Sequence, residues 1–321
     1  MALTGLTGLF ETVVAAANEA TQVLKPTHAA QRAIYWDHSP EESAALYQTI
    51  NVPLPADPTS QVSDIGSGDL QVSDQTVTTV PIILDQHPSF SFPVRDYDQF
   101  RTPTKLRSLF MDGAITGIQN YINAKVAALF NSTNFTTNTA VSATGGAVTV
   151  TQFTGAMAVL SDQRVQTTDN VRNMHVLLPS VPYTKILDPT TGGAGAAWSQ
   201  AFIAGNKYAE EIRETGIVPV AFGTQFHLDQ QMPTTGTAGS RTFTGAYFHR
   251  WAVSGVSRPL ATDDIARKTC EVMYKDFGNI TLRIMVSYSH YPKLAPIVSV
   301  DAGFGLKVTR ENMGVLFSIA E

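Results

Sequence analysis

The sequence predicts an α+β chain, and three observations predict it. Residues 102–132, TPTKLRSLFMDGAITGIQNYINAKVAALFNS, are the longest run whose apolar residues keep a helical period. The closing runs NITLRIMVSYSHY, PIVSVDAGFGLKV and NMGVLFSIA are rich in β-branched and aromatic residues, the composition of strands. Residues 36–97 match neither pattern and read as a strand, a long polar tip and returning strands.

In the long helical run, Ile115, Ile118, Ile122, Val126 and Leu129 form one apolar row, and Leu106, Phe110, Gly117, Tyr121 and Ala128 form a second. Only Asp112, Thr116, Gln119 and Asn123 remain as a polar stripe, so the helix is expected to be covered nearly all round. It would be about 45 Å long. Thr102 and Pro103 supply a hydroxyl N-cap and a first-turn proline, and residues 131–134 a stop. Arg101, Lys105 and Arg107 crowd the positive end of the helix dipole with no acid among them. They are either solvated or met by an acidic surface from elsewhere.

Taken in order, the chain opens with Leu3, Leu6, Phe10, Val13 and Ala17 at amphipathic helical spacing, closed off by Pro26. With little beside it to pack on, this stretch is an arm on another surface or a frayed terminus. Residues 36–97 follow, with TINVPLP, TVTTVPIILD and SFSFPV as strands around the tip PADPTSQVSDIGSGDLQVSDQ. An isolated hairpin is marginal in water, so this excursion needs support from another body. It carries Asp37, Glu41, Glu42, Asp57, Asp64, Asp69, Asp74, Asp85 and Asp96 against Arg95 alone, a net charge of −8, while the whole chain is at −5. The remainder is therefore at +3. Either the loop is an acidic, soluble excursion, or it docks on a basic surface, for which Arg101, Lys105 and Arg107 of a second copy are the candidates.

Beyond the long helix the pattern predicts a short strand near residues 147–149, a helix at 153–163, a buried strand NMHVLLP and a helical turn VPYTKILD. TGGAGAAW lacks the third glycine of a dinucleotide loop and follows a proline, so it reads as a linker. Residues 198–213 read as helix, 217–228 as strand, 234–241 as turns and 248–256 as another buried segment.

Composition excludes several classes of function. Charged residues make up 15% of the chain, well under the roughly 25% of an average soluble protein, which suits a surface covered by partners. No Lys/Arg run or stacked-aromatic module marks a sequence-specific nucleic-acid binder. One cysteine, Cys270, rules out an intrachain disulfide and is expected to be a small buried residue. No apolar run approaches a membrane span. The first 24 residues lack a basic n-region and carry Glu11 and Glu19, so no signal peptide is expected and the protein should stay in the cytoplasm of the cell that makes it. The seven histidines never fall at H-x-x-x-H or H-E-x-x-H spacing. There is no nucleophile elbow or Walker loop, Asp263 and Asp264 read as a solvated pair, and the N-x-T matches at Asn131, Asn134 and Asn279 read as chance. No catalytic, cofactor or metal site is expected.

The order of the pieces resembles the major capsid proteins of tailed bacteriophages with the Hong Kong 97 fold. TINVPLP and TVTTVPIILDQHPSFSFPVRDYDQF resemble the family's extended loop and connecting strand, and residues 103–131 its spine helix. NMHVLLPSVPYTKILD resembles the entry to the axial domain; TGIVPVAFGTQFHLDQQMP, TGAYFHRWAVSGVSRPL and DAGFGLKVTRENMGVLFSIA match later segments. The resemblance implies an N-terminal arm at 1–35, an extended loop at 36–97, a peripheral domain at 98–168, a mainly axial domain at 169–284 and returning strands at 285–321. It implies a structural role without catalysis, as a virion shell of hexamers and pentamers around double-stranded DNA bound without sequence specificity. Portal, scaffolding and decoration proteins are the other partners it implies, and no membrane. Asp57, Asp64, Asp69 and Asp74 would then meet Arg101, Lys105 and Arg107 of the adjacent copy. The alternatives are an encapsulin-like compartment shell with the same fold, an α+β hydrolase, for which no convergent residues can be nominated, and a fibrous tail protein, for which no repeat is visible.

Overall fold

The computed structural model describes residues 28–39, 43–54, 78–93, 105–165, 173–187, 220–263, 270–277, 279–289 and 295–321. A short helix α1 (Ala29–Ala33) leads into β1 (Tyr35–His38), followed by β2 (Thr49–Leu54), β3 (Thr78–Ile83) and β4 (Ser89–Pro93). The long helix α2 (Lys105–Leu129), β5 (Val141–Ala143), α3 (Val150–Asp162), β6 (Met174–Leu178) and α4 (Ser180–Leu187) come next. The rest is β7 (Val220–Ala221), β8 (Thr224–Leu228), β9 (Thr234–Thr235), β10 (Thr242–His249), β11 (Val253–Arg258), β12 (Cys270–Phe277), β13 (Ile280–Ser289), β14 (Ala295–Val308) and β15 (Gly314–Ala320).

Local chemistry explains the boundaries. The Thr149 hydroxyl accepts from the Gln152 N–H while the Gln152 side chain accepts from the Thr149 N–H, a reciprocal cap that starts α3. At the end of α2, Asn131 Oδ1 accepts from the N–H groups of Thr133 and Asn134, and Asn134 Nδ2 donates to the Leu129 carbonyl. These contacts satisfy carbonyls and donors that a helix terminus leaves open. Phe222 and Gly223, both at positive φ (51° and 72°), make the two-residue turn between β7 and β8.

Among the described residues the strands form two large sheets. The six-stranded sheet runs β1-β11-β14-β13-β12, with β4 also on β14; the seven-stranded sheet runs β5-β15-β10-β6-β8-β7, with β9 on β10. β2 and β3 pair only with each other. One core lies under α2, where Met111, Ala114, Ile115, Ile118, Ile122 and Val126 meet Val298, Val300 and Phe304 of β14. A second packs α3 and α4 on the seven-stranded sheet, centred on Phe153, Leu160, Tyr247 and Phe317.

The chain crosses between the sheets three times, first along α2 between β4 and β5 and then at two short turns. A 3-10 turn at Arg250–Ala252 joins β10 to β11, and another at Glu311–Met313 lies between β14 and β15. The two turns are tied together: Thr309 N–H donates to the Ala252 carbonyl at 2.9 Å and its hydroxyl donates to the Trp251 carbonyl at 2.6 Å.

Several expectations are corrected here. Within one chain α2 is not covered all round: Gly113, Gly117, Tyr121, Ala124 and Ala128 lie on an exposed stripe, so the second apolar row faces outward in part. Asn123, expected on the polar stripe, is 1% exposed. It sits there because its side chain donates to both carboxylate oxygens of buried Asp229 and accepts from the Gln31 N–H. The strand expected near 147–149 lies at β5 instead, and Ala147 and Val148 are buried coil leading into the α3 cap. Cys270 is only half-buried, since it stands on β12 at the end of its sheet. β4 leaves the hairpin and joins β14, Phe92 opposite Val298. The expected helices at residues 3–17 and 198–213 lie outside the described residues.

Candidate intersubunit surface

The excursion has the support that its length demands. Val52 of β2, Ile82 of β3 and Leu84 bury against Val256 of β11 and Ala44, so the hairpin root shares a small core with the six-stranded sheet. Gly305 makes this approach possible, because a Cβ there would be driven into the Ile83 carbonyl. Lys307 Nζ donates to the Pro81 carbonyl at 3.2 Å, and Gln86 and Phe304 exchange both backbone hydrogen bonds at 3.1 Å. The root is thereby fixed to β14.

A charged cluster fixes the segment leaving the hairpin. Asp301, 3% exposed, receives Arg283 Nε at 3.0 Å and Arg283 Nη2 at 2.6 Å, a two-point pair. His87 Nε2 lies 3.1 Å from Asp301 Oδ2 and links the β3–β4 connection to the same carboxylate. Burial pulls the Arg283 guanidinium down, but the hydrogen bond and charge of Asp301 outweigh it and the net shift is upward. Arg283 Nη1 also donates to the Ala261 carbonyl and Thr262 Oγ1. Across the sheet, Arg258 holds the Asp37 carboxylate at 3.0 Å and its carbonyl at 2.7 Å.

Large apolar side chains nevertheless face outward around the root. Tyr47 is 75% exposed, Ile83 50%, Phe90 45% and Leu46 37%. Tyr47 takes φ +65°, a conformation strained for a bulky residue, and a hydrogen bond from its N–H to the Leu84 carbonyl holds it there. Tyr121, on the exposed stripe of α2, donates to Gln86 Oε1 at 2.8 Å.

The expected contact residues fall as follows. Asp57, Asp64, Asp69, Asp74 and Arg101 lie outside the described residues. Lys105 opens α2 and Arg107 is in its first turn. The sequence reading missed Asp301, Arg283 and His87, whose contacts join positions up to 214 residues apart and leave no local pattern. It also missed the outward Tyr47, for which Leu-Tyr before a strand gives no signal. Among the described residues no group of His, Cys, Asp and Glu could hold a metal, and no helix is long and apolar enough to cross a membrane.

No family model and no curated protein matches the sequence. Solved structures do match the fold. A chain from Mycobacterium phage Che8 superposes with a TM-score of 0.51 at 15% identity, covering 84% of each chain. The capsid structure of cyanophage P-SCSP1u gives 0.51 at 11%, covering 93% of this chain and 90% of that one. The capsid of an empty GTA particle gives 0.50 at 13%, over 93% and 92%.

Proposed function

We propose that this chain, which has the Hong Kong 97-type fold of tailed-phage capsid proteins, is itself a major capsid protein whose copies close an icosahedral shell around double-stranded DNA. The observation that carries this reading is the shared architecture with capsid chains over nearly the whole length of both. The outward apolar side chains around the hairpin root support it, since a fold that works alone rarely holds such residues in water. The proposed role is mechanical. Many copies, each making weak contacts, close by symmetry into a strong whole. Hexamers and pentamers of the chain, with portal, scaffolding and decoration proteins, are the proposed partners, and the virion the proposed location.

Within such a shell, the net −8 segment at 36–97 is proposed to lie on the adjacent copy, with Asp57, Asp64, Asp69 and Asp74 facing Arg101, Lys105 and Arg107. Reversing the three basic residues to Glu should lower assembly yield severalfold, most at low salt where screening is least. Unchanged yield and salt dependence would remove the pairing. The shell reading itself is tested by negative-stain electron microscopy of the purified protein, alone and with a co-expressed scaffold. Closed shells or sheets of hexamers are expected; a chain monomeric under every condition would overturn the reading. Shells filled with an enzyme instead of DNA would identify an encapsulin-like compartment.

A further inference from the structure

β14 has an edge that no described strand pairs. The Thr309 N–H points to Ala252 on the β11 side, whereas the N–H and C=O of Phe304 both go to Gln86 on the other. Peptide groups alternate along a strand, so those of Leu306 and Val308 point the same way as those of Phe304, away from β11. Gln86 pairs with Phe304 as an isolated bridge, and the pairing stops there.

A groove of about 410 Å³ runs beside this edge, lined by Leu129, Thr133, Asn134, Leu306, Lys307, Val308, Thr309 and Glu311. Consecutive residues 306–309 all border it. Because neighbouring side chains on a strand point to opposite faces, such a contiguous lining means that the groove follows the strand's edge. Its far wall is the end of α2. The Lys307 amine is engaged by Pro81 and the Glu311 carboxylate by Thr136, which leaves a mixed wall of apolar and uncharged polar groups, with open peptide groups, to receive a ligand.

We propose that this edge is a strand-addition site occupied by the chain's own N-terminal segment, residues 1–27. That segment ends where the body is firmly held. His28 Nε2 lies 3.0 Å from Asn120 Oδ1, the Ala30 N–H donates to Asp229 at 2.9 Å, and the Gln31 N–H donates to Asn123 at 3.0 Å. Asn120 and Leu129 stand on one helix, separated along its axis by about 14 Å at 1.5 Å per residue. Four residues of extended chain cover about the same distance, so TQVL at 21–24 is the first uncharged stretch in range. Only Glu11, Glu19 and Lys25 are charged in the whole segment, which fits a groove whose own two charged side chains are already engaged. A tether anchored this close gives an effective concentration of order millimolar, above that of a second copy in dilute solution. The inference does not depend on the shell reading.

The test is amide hydrogen exchange at Leu306 and Val308 in the unassembled full-length chain, at two concentrations 100-fold apart, and in a chain beginning at His28. Expected are two amides protected equally at both concentrations and exchanging on the order of 100-fold faster in the shortened chain. Unprotected amides in the full-length chain would overturn the proposal, and the full-length measurement stands even if the shortened chain fails to fold. Protection lost on dilution would assign the edge to a second copy and overturn it equally, as would protection that survives removal of residues 1–27. None of these readouts involves shell formation, so either idea can fail without the other.

Discussion

The two sheets are held by different physics. The ion pairs Arg283–Asp301 and Arg258–Asp37 and the contacts His87–Asp301 and His38–Asp276 lie on or beside the six-stranded sheet that supports the hairpin. The seven-stranded sheet and its helices rest on aromatic packing, with Phe153 between Phe226 and Tyr247 at centroid distances of 5.4 and 5.2 Å. Two of its buried ionisable groups are kept neutral: burial, then the charge of Arg32, lowers His227 to about 4, and burial raises Tyr247 to about 12. Apolar burial sets density without direction, whereas a two-point Arg–Asp pair sets an angle. The sheet bearing a long extension is the one furnished with directional contacts.

Removing one partner on each side gives the largest effects. Asp301→Ala leaves Arg283 facing an emptied, buried site and should cost about 3–5 kcal/mol in denaturant unfolding. Phe153→Ala should cost a similar ~3–5 kcal/mol by opening a cavity. The double variant Asp301→Ala with Arg283→Met separates their meanings. It should recover most of the stability, because the buried charge is gone, yet still misplace the hairpin root, read as faster amide exchange at Leu84 and Gln86. Full recovery of both would show that the charges do not orient the root.

Acid should act on the seven-stranded sheet. His227 binds its proton near pH 4 when folded and near 6.5 when unfolded, so between these values the unfolded chain holds the extra proton. Stability is full above pH 6.5 and falls as the pH drops towards 4, by on the order of 3 kcal/mol. His227→Gln should flatten that slope in thermal melts at stepped pH. His249, lowered to about 4 by burial and then by Arg250 and Arg310, adds a smaller effect of the same sign because more solvent reaches it.

Gly305→Ala presses on the Ile83 carbonyl and should cost about 1–3 kcal/mol, loosening the root and leaving amide exchange in β6 and β10 unchanged. The smallest effect belongs to Tyr47→Asn, which tolerates positive φ and should raise stability by up to ~1 kcal/mol. Under the proposed function the same change should weaken assembly, because it removes an exposed ring.

Strong periodicity made much of the fold legible. The row Ile115, Ile118, Ile122 and Val126 is buried as its spacing predicts, and MHVLL, apolar apart from His175, is the buried β6. What stayed hidden depends on distant partners. Asn123 reads as solvent-facing until Asp229, 106 residues away, is placed against it. The second apolar row of α2 reads as buried because one chain cannot reveal whether a stripe meets its own body or another. The charge segregation of residues 36–97 is visible in sequence; which surface answers it depends on an assembly.

The paired 3-10 turns have a topological consequence. β10 runs on into β11 and β14 into β15, so beside the passage along α2 two further stretches of backbone span the gap between the sheets, stitched to each other at Thr309. A protease cut, or new termini made by circular permutation, at either turn would leave the sheets joined by the other turn and by α2. Uncoupling them takes three scissions.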